Sequence, residues 1–332
     1  ASNSFIKAFG FISATLVIRF VSKTEYGVYA FANNQMSLFL LLSGLGMPSG
    51  ILQICSEIND NGDKRKAIFN YGSKVAGLTN LCLIAAIFLY ALLTPLPFNH
   101  TRSYLSLMAG IPLVIVLTEL RTVYLRSELR NAEFARVNFV LGFALCLFQV
   151  IGAWLFQIFG TIIGKYLAYL LILLYMLFFL KIPLKFKIPG VISKKEKRDL
   201  FGIALVSMMN NGISQMLYLL DVLLVGIIIA DENIVAMYKV ASTIPIALTF
   251  LPQSIVIFIY PYFARNKNNA SWLKRNYIRT LLLSLISCGA LSLILLAFSP
   301  QIIPLLFGAN YSDSIPAFQV LLAGFIVSAP FR

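Results

Sequence analysis

Asp221 is the residue in this chain with the clearest capacity for chemistry, because it is an acid set deep in an apolar stretch, about nine residues before Ala230. A carboxylate there is costly unless it is neutralised, paired or used. Asn211, Ser214 and Tyr218 precede it at steps of three, four and three, which places all four side chains on one face of a helix. Such a polar stripe should turn away from lipid. Asp221 either binds a proton or sodium ion or pairs permanently with a basic residue.

Among the basic residues inside apolar stretches rather than at their cytoplasmic ends, Lys239, Arg19 and Lys7 qualify best as candidates. Lys239 lies about five residues, roughly 8 Å along a helix, from the end of its stretch, with Ser242 and Thr243 one turn along the same face. Each cation either lines a wet internal cavity that binds an anion or snorkels its long side chain to the interface. Asn33, Asn34 and Ser37 offer amide and hydroxyl groups to the same kind of cavity. Catalytic and metal motifs are missing: there is no phosphate loop and no nucleophile with a base at a recognisable spacing. Cys55, Cys82, Cys146 and Cys288 stand singly among apolar neighbours, and His100 is the only histidine. The cysteines read as packing residues, and neither a metal nor another cofactor is expected.

The elements that must position these residues are membrane helices. The chain is 59% hydrophobic and only 12% charged, with a mean hydropathy of +0.84, and soluble surfaces need about a quarter charged residues. Ten apolar stretches can be drawn: 5–21, 28–55, 71–93, 105–121, 139–159, 162–180, 200–230, 234–260, 278–298 and 317 to the end. Each is long enough to cross a hydrocarbon core of about 30 Å. Of the 27 basic residues, 20 fall in four segments, Lys64 to Lys74, Arg121 to Arg136, Lys181 to Arg198 and Arg265 to Arg279, which occupy alternate gaps. By the positive-inside rule those gaps are cytoplasmic and the first helix runs from cytoplasm to outside. The formal charge of +14 is thus accounted for by topology and anionic membrane lipids, and nucleic acid is not an expected partner. The mixed charges from Glu119 to Arg136 read as a solvated helix end, and a tight outer turn is expected near Gly160.

The long basic linker suggests a division into a six-helix bundle over 1–185, a linker over 186–199 and an incomplete bundle of about four helices over 200–332. Sliding the sequence by 209 residues sets Tyr29 on Tyr238, Ala32 on Ala241, Asn59 on Asn268 and Arg65 on Lys274; a further five sets Leu107, Ala109 and Gly110 on Leu321, Ala323 and Gly324. Two parallel six-helix repeats are a transporter arrangement. No initiator methionine or cleavable signal is visible, and the chain stops inside an apolar run. A piece of a longer protein, with twelve helices in all, is therefore expected.

Several segments resemble one family. IRFVSKTEYGVYAF from Ile18 to Phe31, SGLGMPSGI from Ser43 to Ile51, LLDVLLVG from Leu219 to Gly226, and LLFGANYSDSIPAFQVLLAG from Leu305 to Gly324 are similar to the polysaccharide-export flippases, O-antigen flippases among them. These belong to the multidrug, oligosaccharidyl-lipid and polysaccharide exporter superfamily. The resemblance implies a multi-pass protein of the bacterial cytoplasmic membrane. It would turn a polyprenyl-diphosphate-linked oligosaccharide between leaflets by alternating access, without enzymatic activity. Lys239, Arg19 and Lys7 would then face the diphosphate, Asp221 would couple or gate, and the amides and hydroxyls would meet sugars. A polysaccharide polymerase and chain-length machinery would be partners. A multidrug exporter of the same superfamily is the nearest alternative, but it should favour acidic cavity residues. A polytopic polymerase or ligase would need larger outer loops than Leu96 to Tyr104 and Ser299 to Ile315 provide.

Overall fold

The computed structural model describes residues 2–58, 62–183, 185–186, 192–266 and 269–329. Asn59 and Asn268 of the internal match lie outside them, as do residues 187–191 of the basic linker. The described chain is a polytopic all-α bundle. That follows from the solvent: backbone groups in hydrocarbon need partners within their own segment, and a helix supplies them. Five helices are long and apolar enough to cross a bilayer, or up to seven if each of two bent pairs is one crossing. Large apolar side chains such as Leu93, Trp154, Phe178 and Ile228 project outward, a surface that water would not tolerate.

The chain forms two compact units, Ala1–Glu232 and Asn233–Arg332. In the first, α1 (Ser2–Phe20) packs along α7 (Asn131–Phe178). Ser22 caps α2 (Lys23–Leu40) by accepting from the Glu25 amide. A 3-10 turn over Ser43–Gly46 separates α2 from α3 (Met47–Glu57), and the two helical segments bend by 41°. Single continuous stretches were expected over 28–55 and 105–121. The second is α5 (Thr101–Met108) followed after two residues by α6 (Ile111–Ser127), which together make one crossing of 27 residues. Pro48 and Pro112 stand at the starts of α3 and α6, where the missing amide proton costs nothing.

After α4 (Gly62–Leu93) and α6 comes α7, which folds back on itself at Phe156 and Gln157. The expected turn near Gly160 therefore sits three residues earlier, and Gly160 has a different task. A Cβ at Gly160 would lie 2.0 Å from the Gly152 carbonyl oxygen, one at Gly152 would lie 2.1 Å from the Gly160 carbonyl, and one at Gly164 would lie 2.3 Å from the Phe148 carbonyl. The arms of this hairpin touch backbone to backbone, which only glycine allows.

The helix following the linker, α8 (Lys194–Ile228), packs on α2 and α3. Its Leu200 and Ala204 complete a core with Met47, Ile51, Phe69, Val116 and Leu120. The contact boundary at Glu232 therefore differs from the linker at 186–199. A packing boundary and a repeat boundary are separate quantities, and the helix after the linker packs with the bundle that precedes it. The second unit holds α9 (Glu232–Leu248), α10 (Phe250–Arg265), α11 (Ala270–Ala297), α12 (Ser299–Phe307) and α13 (Ile315–Ser328). There α11 packs against α10, α12 and α13, and the Gln319 amide nitrogen donates to Ser299 Oγ at 2.9 Å.

Candidate functional site

The polar cavity of the first unit forms where the α2–α3 crossing is broken. Gly44, Leu45 and Gly46 adopt positive φ values of 60°, 47° and 70°, and i→i−3 bonds replace the helix ladder from Leu41 to Leu45. For Leu45 a left-handed backbone costs about 1 kcal/mol or more, so the packing around it must hold the break open. Gly46 meets the Ala204 carbonyl of α8, where a Cβ would approach to 2.2 Å. The opened chain, the middle of α6 and the middle of α8 enclose about 300 Å³. Lining it are Ser37 from α2, Ser43 from the turn, Ser49 from α3, Glu119 from α6, and Asn211 and Gln215 from α8.

The hydrogen bonds orient this lining. Ser43 Oγ donates to Asn80 Oδ1 at 3.0 Å, and the fully buried Asn80 donates in turn to the Ala76 carbonyl at 2.8 Å. Ser37 Oγ donates to the Asn33 carbonyl at 2.8 Å. Both hydroxyl protons are thus directed to the protein, and the oxygens keep lone pairs for the cavity. Among the described residues Glu119 has no salt bridge.

The residues singled out from the sequence are distributed as follows. Ser37 and Asn211 meet at this cavity. Asn33, half-buried, carries the carbonyl that Ser37 uses. Asn34 is buried and donates to the Leu219 carbonyl at 2.6 Å, tying α2 to α8. Ser214 is exposed and bonded to the Asn210 carbonyl of its own helix. Asp221 is exposed further along α8, and the Tyr218 side chain lies outside the described residues. Lys7 and Arg19 are exposed on α1. Lys239 is half-buried on α9 in the second unit, and its carbonyl accepts from Ser242 and Thr243.

Glu119, Ser43 and Gln215 were not among the candidates. Glu119 was grouped with the charged run that follows it, and its side chain is exposed as that grouping expects, but it opens on the cavity. Its neighbour Arg121 is fully buried rather than solvated, donates to the Leu117 carbonyl, and stands 5.8 Å over the Phe69 ring.

Charge pairing concentrates at the basic-loop end. Glu196 pairs with Lys64 and completes a capping box with Ser193 at the start of α8. The Lys64 ammonium, then the Ser193 amide and hydroxyl, hold the Glu196 carboxyl down at about 2. Glu133 accepts two bonds from Arg130 and raises its pKa. The Asn70 side chain donates to the Phe186 carbonyl at 2.8 Å and accepts from its amide at 2.9 Å, fastening the start of the linker to α4. No group of three or more metal-ligating side chains occurs among the described residues.

Comparison with known proteins agrees with this architecture. The structure of the lipid II flippase MurJ in an inward closed conformation superposes with a TM-score of 0.76 at 16% identity, over 99% of this chain and 72% of that one. An inward-facing multidrug resistance MATE family transporter of the MOP superfamily gives 0.68 at 18% identity, over 98% and 80%. A MOP superfamily transporter from Pyrococcus furiosus Vc1, described by a binding pocket of reverse polarity, gives 0.62 at 16% identity, over 99% and 80%. No curated relative matches the sequence. The family model described as polysaccharide biosynthesis protein matches residues 16–316. With that match over most of its length and the fold of MOP superfamily transporters around its cavity, the chain belongs to the polysaccharide biosynthesis protein family.

Proposed function

We propose that this protein is a flippase that carries a polyprenyl-diphosphate-linked oligosaccharide, an O-antigen or similar surface repeat unit, across the cytoplasmic membrane by alternating access. The observation that carries the proposal is a polar cavity built into an apolar helical bundle whose family is that of polysaccharide biosynthesis. A sugar headgroup needs hydroxyl and amide partners in place of water, and Ser37, Ser49, Asn211 and Gln215 supply them. Lys239, Arg19 and Lys7 are assigned to the diphosphate, and Asp221 to gating or to a coupling proton or sodium ion. With the basic loops inside, the start of α1 would lie in the cytoplasm. A polysaccharide polymerase and chain-length machinery would receive the product.

One observation favours a second reading. The lining of the cavity includes a carboxylate, Glu119, and no Lys or Arg, which suits a cationic cargo and hence a drug exporter of the same superfamily. Deleting the gene and analysing the host's lipids separates the two. Accumulation of a complete lipid-linked repeat unit on the cytoplasmic side, reversed by restoring the full-length gene, supports the flippase. Normal surface polysaccharide in a host with no second flippase refutes it and favours export, and a unit stranded on the outer face points to a polymerase or ligase.

A further inference from the structure

We propose that α8 and the α2–α3 crossing meet at two gates, one on each side of the polar cavity, and that each gate is shut by a glycine seat. Gly27 is the seat at the end away from the basic loops, and Gly46 with Gly50 is the seat at the basic-loop end. The proposal deepens the alternating-access reading given above and rests on it.

The size of the cavity calls for gates. At about 300 Å³ it stands at the lower limit of sites that hold a drug-sized molecule, and a diphosphate carrying several sugars is larger. A wall must withdraw before such a headgroup can enter. The walls are α2–α3, α6 and α8. Met47 and Ile51 of α3 share one core with Val116 and Leu120 of α6, whereas α8 is joined to the helices before it through the long linker between Phe178 and Lys194. The wall free to move is therefore α8.

Contacts close the seam between α8 and α2–α3 on both sides of the cavity. At the far end a Cβ on Gly27 would lie 1.8 Å from the carbonyl oxygen of Glu232, the last residue of the first unit, and 2.7 Å from its carbon. A Cβ on Gly226 would lie 2.3 Å from the Phe31 ring, and Asn34 donates to the Leu219 carbonyl at 2.6 Å. At the basic-loop end a Cβ on Gly46 would lie 2.2 Å from the Ala204 carbonyl oxygen, and one on Gly50 would lie 3.1 Å from Leu200 Cδ1 and 3.2 Å from Ala204 Cβ. Glycine lets backbones meet without interdigitated side chains, so each end closes tightly and can part by a small shear.

The two ends differ in charge. Only at the basic-loop end are ionic contacts added to the seat: the Lys64 ammonium stands 2.5 Å from the Glu196 carboxylate, and the Lys197 ammonium stands 5.3 Å over the Tyr71 ring. The far-end contacts just described join carbonyl, amide and ring. A change in charge should therefore act on one gate and leave the other alone.

The test uses the full-length protein in right-side-out and inverted membrane vesicles, without cargo. Ser37→Cys places a reporter thiol in the cavity, Cys82 and Cys146 are replaced by alanine, and a membrane-impermeant maleimide is added from each side; labelling of protein lacking the reporter is subtracted. Gly27→Ala should raise the rate of reporter alkylation from the far side roughly tenfold or more and leave the rate from the basic-loop side unchanged. Gly50→Val and, separately, Lys64→Glu should do the reverse, and Gly10→Ala, with nothing within 4 Å of its Cβ position, should change neither. If Gly27→Ala does not fold, Gly226→Ala carries the far-end comparison. Unchanged rates in the wedge variants overturn the proposal, as does a rise from the same side for both seats or an equal rise from both sides. Because no transport is read, failure here leaves the cargo assignment standing, and a failed lipid analysis leaves the sided rates standing.

Discussion

Replacing Gly160 by alanine adds one methyl group at the tightest point of the α7 hairpin. The new Cβ would lie 2.0 Å from the Gly152 carbonyl oxygen, 2.6 Å from its carbon and 2.9 Å from its Cα. All three are backbone atoms, so no side chain can swing away. Reaching an ordinary contact of 3.4 Å requires the arms to part by about 1.4 Å. Overpacking of this severity costs about 3 kcal/mol, against which alanine returns about 1 kcal/mol of helix propensity. A net loss near 2 kcal/mol is expected. Gly10 on α1 has nothing within 4 Å of its Cβ position, so Gly10→Ala should be neutral or slightly stabilising. The Gly164 position, at 2.3 Å from the Phe148 carbonyl, should give a smaller loss than Gly160. Equilibrium unfolding in mixed SDS micelles measures all three on one scale. If Gly160→Ala unfolds within about 0.5 kcal/mol of the wild type, the two arms do not meet as described and the close-contact reasoning is refuted.

Other sites give separate expectations. Arg121→Met keeps the bulk over Phe69 but removes the charge, whereas Arg121→Ala also opens a cavity; the alanine variant should lose about 3 kcal/mol and the methionine variant clearly less, read in the same unfolding assay. Because Glu196 titrates at about 2 in the folded protein, below an ordinary carboxylate near 4.3, its stabilisation is complete above about pH 4.3 and fades as pH falls toward 2. Thermal melts between those values should show a loss in the wild type that Glu196→Gln lacks. Ser193→Ala removes the cap of α8 and should cost about 1 kcal/mol at neutral pH. Lys239→Ala and Asp221→Asn in the full-length protein should each impair transport at normal protein levels; wild-type transport in both would remove them from the cargo path.

What could be read from the sequence follows from which signals are local. Helix class came from apolar length: the span at 71–93 falls within α4, and that at 200–230 overlaps α8 as far as Ile228, with a bend of 51° between Met216 and Leu219. The break at 43–46 had a local signal too, since two glycines precede a proline there, but the apolar residues on either side masked it. The turn expected near Gly160 lies at Phe156 and Gln157, whereas the backbone contact of Gly160 with Gly152 carried no local signal. Arg121 was hidden by its neighbours, because the charged run around it made one buried cation look like part of a solvated end. The bond from Asn34 to Leu219 spans 185 residues, and no periodicity within a single sequence encodes such a pairing.

The packing of α8 against α2 and α3 has a consequence for how the protein is made. Leu200 and Ala204 fill the core shared by α3, α4 and α6, and Asn34 waits for the Leu219 carbonyl. At about 5–20 residues per second, the 41 residues from Phe178 at the end of α7 to Leu219 take about 2 to 8 s to follow. During that interval the newborn bundle has an unfilled slot where Leu200 and Ala204 will pack, and the polar side of Ser37, Ser43 and Glu119 lacks the α8 wall that completes their cavity. A chain halted within the linker therefore lacks the residues that close its own core, and the helix after the linker is the piece whose arrival completes the preceding half.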